Sequence, residues 1–82
     1  MVRAAPGVQW TVEREGVQVY SAAGSLFLRY PQAAVWDLLA RGQPIDEVIR
    51  KLCFIVALDQ AAAARLVTDA CLRWRGEGLL DG

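Results

Sequence analysis

Between Gly24 and Gly42 the hydrophobic pattern changes period, and this change limits what the chain can fold into. Before Pro31 the apolar residues alternate, with Leu26 and Leu28 on one face of an extended segment. After it Val35, Trp36, Leu38 and Leu39 recur at helical spacing until Gly42 stops them. A strand therefore runs into a helix. Pro31 suits that junction because a first-turn position has no N–H partner to lose, and its fixed φ starts a helix while keeping Tyr30 extended.

Upstream, Val8, Trp10 and Val12 alternate with Gln9, Thr11 and Glu13, the pattern of a half-buried strand. Glu15-Gly16 is read as a tight turn, with the glycine supplying a φ above zero. Val17 and Val19 then resume the inward face and Gln18 and Tyr20 the outward one. A second turn, Ala22 to Ser25 around Gly24, leads into the third strand, with Leu26 and Leu28 in one register and Ser25, Phe27 and Arg29 in the other. Three such strands make an antiparallel meander, which always leaves two edges. Residues 1–7, which include Pro6, are expected to fray.

Downstream, Gln43-Pro44 opens a second helix carrying Ile45, Val48, Ile49 and Leu52 on one stripe. Asp46 and Glu47 lie in its first turn and Arg50 and Lys51 near its end, as the helix dipole prefers. The apolar run Cys53 to Leu58 is open between a further helical turn and a buried connection. Asp59 is an N-cap candidate for a third helix reaching about Arg75, ended by Gly76 or Gly78. Ala63, Leu66, Val67, Ala70 and Trp74 form its stripe, and Ala64, Cys71 and Leu72 make it wider than one core contact needs. Leu79-Leu80 is expected to fold back under the core. The fold class is thus α+β, a three-stranded antiparallel meander followed by three helices in winged-helix-like order, in one domain over residues 8–80.

The totals narrow the function. A chain of 82 residues buries about 60 to 65% of its unfolded surface, so a hydrophobic fraction of 55% with three Trp hints at apolar surface kept for a partner. Nine basic and nine acidic residues cancel, leaving no overall field toward nucleic acid or an anionic membrane. No apolar run approaches the roughly 18 residues of a membrane span, and with no signal-peptide core the chain is read as cytoplasmic. There is no His, and Cys53 and Cys71 form no Cys-x-x-Cys pair, so none of the usual closed zinc sets is available. The two cysteines are read as small hydrophobes, with a disulfide the less favoured alternative. No nucleophile stands with a base and no Gly-rich loop follows a strand, so neither catalysis nor a cofactor is expected.

The element order, the run from Leu28 through Trp36-Asp-Leu-Leu-Ala-Arg-Gly42, the segment Pro44-Ile-Asp-Glu-Val-Ile49 and the closing Gly76-Glu-Gly-Leu-Leu80 together resemble the PqqD-like family. These are leader-peptide recognition domains of ribosomal peptide maturation systems. The resemblance spans about Val8 to Leu80 and departs at Arg29, where the family commonly has Asn, and in the apolar Phe54 to Leu58 connection. It implies a peptide-binding adaptor in which a precursor leader adds as a strand on the third strand, in the groove facing the third helix. Carried onto this sequence, the backbone of Ser25, Leu26, Phe27, Leu28, Arg29 and Tyr30 would pair with the leader. Leu26, Leu28, Leu66, Val67, Ala70 and Trp74 would line the groove, with Arg29 and Arg73 at its rim and Trp74 as an anchor. Trp10 and Trp36 are assigned to the core. The implied partners are the leader and a maturation enzyme, a leader protease in lasso-peptide systems or, alternatively, a radical enzyme in quinone-cofactor synthesis. A winged-helix nucleic-acid binder is the competing reading, but on the third helix Arg65, Arg73 and Arg75 are offset by Asp59, Asp69 and Glu77. A structural subunit of an enzyme complex is the third.

Overall fold

The computed structural model describes residues 2–82. Its elements are β1 (Arg3–Ala4), β2 (Gln9–Glu13), β3 (Gly16–Ser21), β4 (Gly24–Arg29), α1 (Gln32–Ala40), α2 (Ile45–Ile55), α3 (Gln60–Gly76) and β5 (Leu80–Asp81). The meander expected from the alternating residues is the antiparallel sheet β2-β3-β4, with β3 in the centre. Its register stacks Val12 on Val17 on Leu28, and Trp10 on Val19 on Leu26, along the face turned toward the helices. Val17 and Val19 are each 1% exposed, because the helices cover one side of β3 and strands flank both its edges.

The first turn differs from its expectation. Glu13 pairs with Gly16, so Arg14-Glu15 makes the turn and Gly16 is already the first residue of β3, without a positive φ. The requirement for glycine there is spatial. A Cβ on Gly16 would lie inside contact distance of the Leu28 carbonyl oxygen and 2.8 Å from Cζ of Phe27, whose ring covers the position.

The N-terminal segment also differs. Residues 1–7 were expected to fray, yet β1 pairs with β5, Arg3 with Asp81 and Ala4 with Leu80, and the Ala5 amide donates to the Leu79 carbonyl at 3.0 Å. Val2 is buried in the core. Met1 lies outside the described residues. A strand of two residues has no period to detect, and its partner is at the far end of the chain.

The helices start and stop as local chemistry dictates. Pro31, preceded by a cis peptide bond, is the N-cap of α1, one residue earlier than expected; its carbonyl accepts from the amides of Ala34 and Val35. Asp59 caps α3, accepting from the Ala62 amide at 2.8 Å. Beyond α3, Gly78 takes φ 77°, its amide donates to Arg75, and the Leu79 amide donates to Trp74 at 2.8 Å. This paired closure places Leu79 against the last turn of the helix and sends the chain back under the core. Gly42 ends α1 with the same pair of bonds. The ambiguous run resolves as helix: α2 continues to Ile55, with Phe54 86% exposed, and Ala57 turns the chain at φ 52°.

The core is one cluster in which Trp36, Val35, Leu39, Val48, Leu52, Ala63 and Val67 are fully buried. Trp36 stacks edge to face on Trp10 at 5.9 Å and on Trp74 at 5.3 Å, joining β2, α1 and α3 through three rings. Two substitutions test this description. Gly16→Ala forces β3 from β4 and is expected to cost about 1 to 3 kcal/mol in urea unfolding; an unchanged midpoint would contradict the close approach. Ala57→Gly removes a left-handed alanine and is expected to gain up to about 1 kcal/mol in the same assay.

Candidate functional site

In the order β2-β3-β4, one side of β4 bonds to β3 and the other has no strand partner among the described residues. An edge strand of this kind directs alternate N–H and C=O groups outward, unused. Beside that edge lies α3. Leu28 of β4 faces Leu66, Asp69, Ala70, Arg73 and Trp74 of α3 and Gln32 of α1 across a recess of about 220 Å³. Two residues back along the strand, Leu26 lines a second recess of about 400 Å³ with Val19, Ser21, Glu77 and Leu79. A two-residue step on a strand is about 6.6 Å, so the recesses follow one another along β4. Together they form a groove bounded by β4 on one side and, on the other, by α3 at the first recess and by Glu77 and Leu79, just past the end of α3, at the second.

The sequence-derived site residues fall into three groups. Leu28, Leu66, Ala70, Arg73 and Trp74 meet in one recess, as expected, and Leu26 reaches the other. Phe27 and Arg29 lie in the opposite register of β4, on the outer face of the sheet, where Phe27 pairs with Gln18; Ser25 shares that register but, at the start of the strand, also borders the second recess. Arg29 therefore does not stand at the groove rim, although its backbone belongs to the open edge. Tyr30 follows the strand and is 48% exposed. Val67 is fully buried and presents no surface to the groove. Trp74 is 2% exposed: packed against Trp36, it floors the first recess instead of projecting from it. Trp10 is only half-buried, and its indole N–H donates to Asp37 at 3.3 Å.

Sequence reasoning missed Gln32 and Asp69 at the first recess and Val19, Ser21, Ala23, Gly24, Glu77 and Leu79 at the second. The signal was present in the spacing, since Asp69, Arg73 and Glu77 recur every fourth residue beside the apolar stripe. All three are exposed, and among the described residues none takes part in an ion pair. The pairs that do form, Asp37 with Arg41 at 2.9 Å and Glu47 with Arg50, lie on α1 and α2.

Chemically, the groove offers unused backbone groups beside an apolar floor with charged walls. Among the described residues no group of three metal-ligating side chains comes together, and no helix is long and apolar enough to cross a membrane. Both cysteines are free thiols, Cys71 buried on α3 and Cys53 half-buried on α2. Burial pushes the Cys71 thiol up from its ordinary range, with the Arg75 guanidinium opposing the shift only in part.

A small α+β domain with an open sheet edge facing its last helix agrees with the architecture expected from the sequence. No protein-family model matches the chain, and no curated protein does either. Among solved structures it is similar to TbiB1, determined in complex with the TbiA(beta) leader peptide. The TM-score is 0.87 over 98% of this chain and 95% of that chain, at 20% identity. The likeness thus shows the fold.

The raised thiol makes one prediction. A higher pKa means less thiolate at any given pH below it, so iodoacetamide is expected to modify Cys53 well before Cys71 at neutral pH. Cys71 labelling should accelerate as pH rises past the ordinary thiol range. Peptide mapping by mass spectrometry that found Cys71 labelled first would contradict its burial.

Proposed function

We propose that this chain is a non-catalytic adaptor of the cytoplasm that captures the leader segment of a ribosomally synthesised precursor peptide. It presents the precursor to a maturation enzyme, the leader protease of a lasso-peptide system. The observation that carries this reading is the unpaired edge of β4 lying directly beside the two-recess groove against α3. An incoming strand would gain ladder hydrogen bonds from the edge, and its alternate side chains would enter recesses spaced for them. TbiB1, which shares the fold, was determined with a leader peptide bound, and this supports the reading.

The residues divide the work accordingly. Ser25 to Tyr30 supply backbone partners; Leu26, Leu28, Leu66 and Ala70 supply apolar contact. Trp74 acts from below, holding the floor at its height, so its role in capture is support. The mixed charge of the groove favours a peptide over nucleic acid, whose binders carry a basic stripe.

Fluorescence anisotropy of a labelled leader, taken from the precursor frame adjoining this gene, tests the proposal. Saturable binding tighter than about 1 µM is expected, equivalent to about −8 kcal/mol. Its affinity should fall no more than about tenfold from low to high salt, against the factor of about 1,000 or more that counterion release gives for phosphate contacts. Leu66→Ala, at a half-buried groove position, should weaken binding about tenfold while leaving the circular dichroism spectrum unchanged. No binding by the folded protein would reject leader capture.

A further inference from the structure

The recesses that serve the proposed leader also carry an ordered set of charges, and no ion pair absorbs them. Asp69 and Arg73 of α3 and Glu77, the C-cap residue just past its end, follow one another at four-residue steps, each exposed and none in an ion pair among the described residues. Asp69 and Arg73 wall the recess at Leu28, and Glu77 walls the recess at Leu26. The helix therefore runs against β4 in the opposite sense, its C-terminal end beside the start of the strand.

The spacings coincide. Four residues of helix advance about 6 Å. Two residues of strand advance about 6.6 Å. A strand lying on the β4 edge would turn every second side chain toward α3, and those side chains would meet Asp69, Arg73 and Glu77 in step over three positions. Each recess has an apolar floor, Leu28, Leu66 and Ala70 in one and Leu26, Val19 and Leu79 in the other. A lysine, arginine or glutamate can lay its methylenes on such a floor and carry its charge to the wall.

We propose that the groove selects its peptide by charge at alternate positions, preferring a basic, an acidic and a basic side chain at three successive inward-facing positions. The inference rests on the leader-capture reading and specifies the peptide it takes. The wall reads acid, base, acid, which is the same in both directions, so the preferred pattern does not depend on whether the incoming strand lies parallel or antiparallel to β4. Like charges set opposite one another are the corresponding penalty, and they exclude peptides of the inverse pattern. The same three wall residues are exposed, so changing them leaves the core untouched.

The test uses two labelled synthetic peptides, Leu-Thr-Lys-Thr-Glu-Thr-Lys-Thr-Leu and its charge inverse Leu-Thr-Glu-Thr-Lys-Thr-Glu-Thr-Leu, alongside the labelled leader. At low salt the first is expected to bind about tenfold more tightly than the second, the scale of a few exposed charge pairs, and the gap should narrow at high salt. In the triple variant Asp69→Lys, Arg73→Glu, Glu77→Lys the preference should invert. Equal affinity for the two peptides, or a preference that survives wall reversal, overturns the charge rule while leader binding keeps the capture reading intact. Failure of the leader and both peptides to bind overturns both.

Discussion

Everything in this fold hangs on three tryptophans in contact. Trp36 of α1 is fully buried between Trp10 of β2 and Trp74 of α3, with interplanar angles of 86° and 83°. Edge-to-face pairs of this kind add about 0.5 to 1.5 kcal/mol each beyond the area they bury. In a domain whose core is this small, the chain of rings joins sheet, first helix and last helix into one body. Its cost is local: among the described residues the buried Trp36 indole N–H has no partner, a loss of about 1 to 3 kcal/mol that the ring's burial and two aromatic contacts offset. At the sheet end the indole of Trp10 is fixed by Asp37, which also holds Arg41, so α1 grips the edge strand β2 through a side chain of its own.

The groove follows from that arrangement. Trp74 enters the core from the inner side of α3 and fixes how closely the helix approaches the sheet, yet the small residue Ala70 and the half-buried Leu66 leave the space beside β4 unfilled. An open sheet edge is normally blunted by charge, proline or cover. From Gly24 to Leu28 the β4 edge has none of these, and its only charge, Arg29, comes at the end. The bare edge and the apolar recess beside it are therefore one feature, left by the same packing of α3 on the sheet.

How much of this could be read from the sequence depends on the range over which each element is determined. The meander and three helices were legible because period, caps and glycine stops are local: Asp59 caps α3, and Gly42 and Gly78 close their helices. The two sides of the groove were legible as faces, since register puts Leu26 and Leu28 on one and the helical stripe puts Leu66, Ala70 and Trp74 on another, but that the two face each other came from the family resemblance. What failed depends on contacts distant in sequence. The pairing of Arg3–Ala4 with Leu80–Asp81 has no local signature. Gly16 reads as a turn residue, but what requires glycine there is the nearness of the Leu28 backbone, twelve residues away along the chain and brought alongside by the register of the sheet. Val67 was placed in the groove because a stripe shows which side of a helix is apolar but not which part of that side the sheet covers. Arg29 was placed at the rim although its own alternation with Leu28 sets it on the other face.

The division between what builds the fold and what lines the groove has a consequence for specificity. The buried core contains no charged side chain, its one ionisable group being the Cys71 thiol, and the groove walls Asp69, Arg73 and Glu77 lie outside it. Substitutions at exposed positions away from special features usually change stability by less than about 0.5 kcal/mol. The walls can therefore change while the architecture stays, which is consistent with a shared fold at 20% identity to TbiB1. Ladder bonds from the β4 backbone are indifferent to peptide sequence, whereas the side chains lining the groove are not. The residues that hold the fold and the exposed charges beside the groove are therefore separate sets, and either can change without the other.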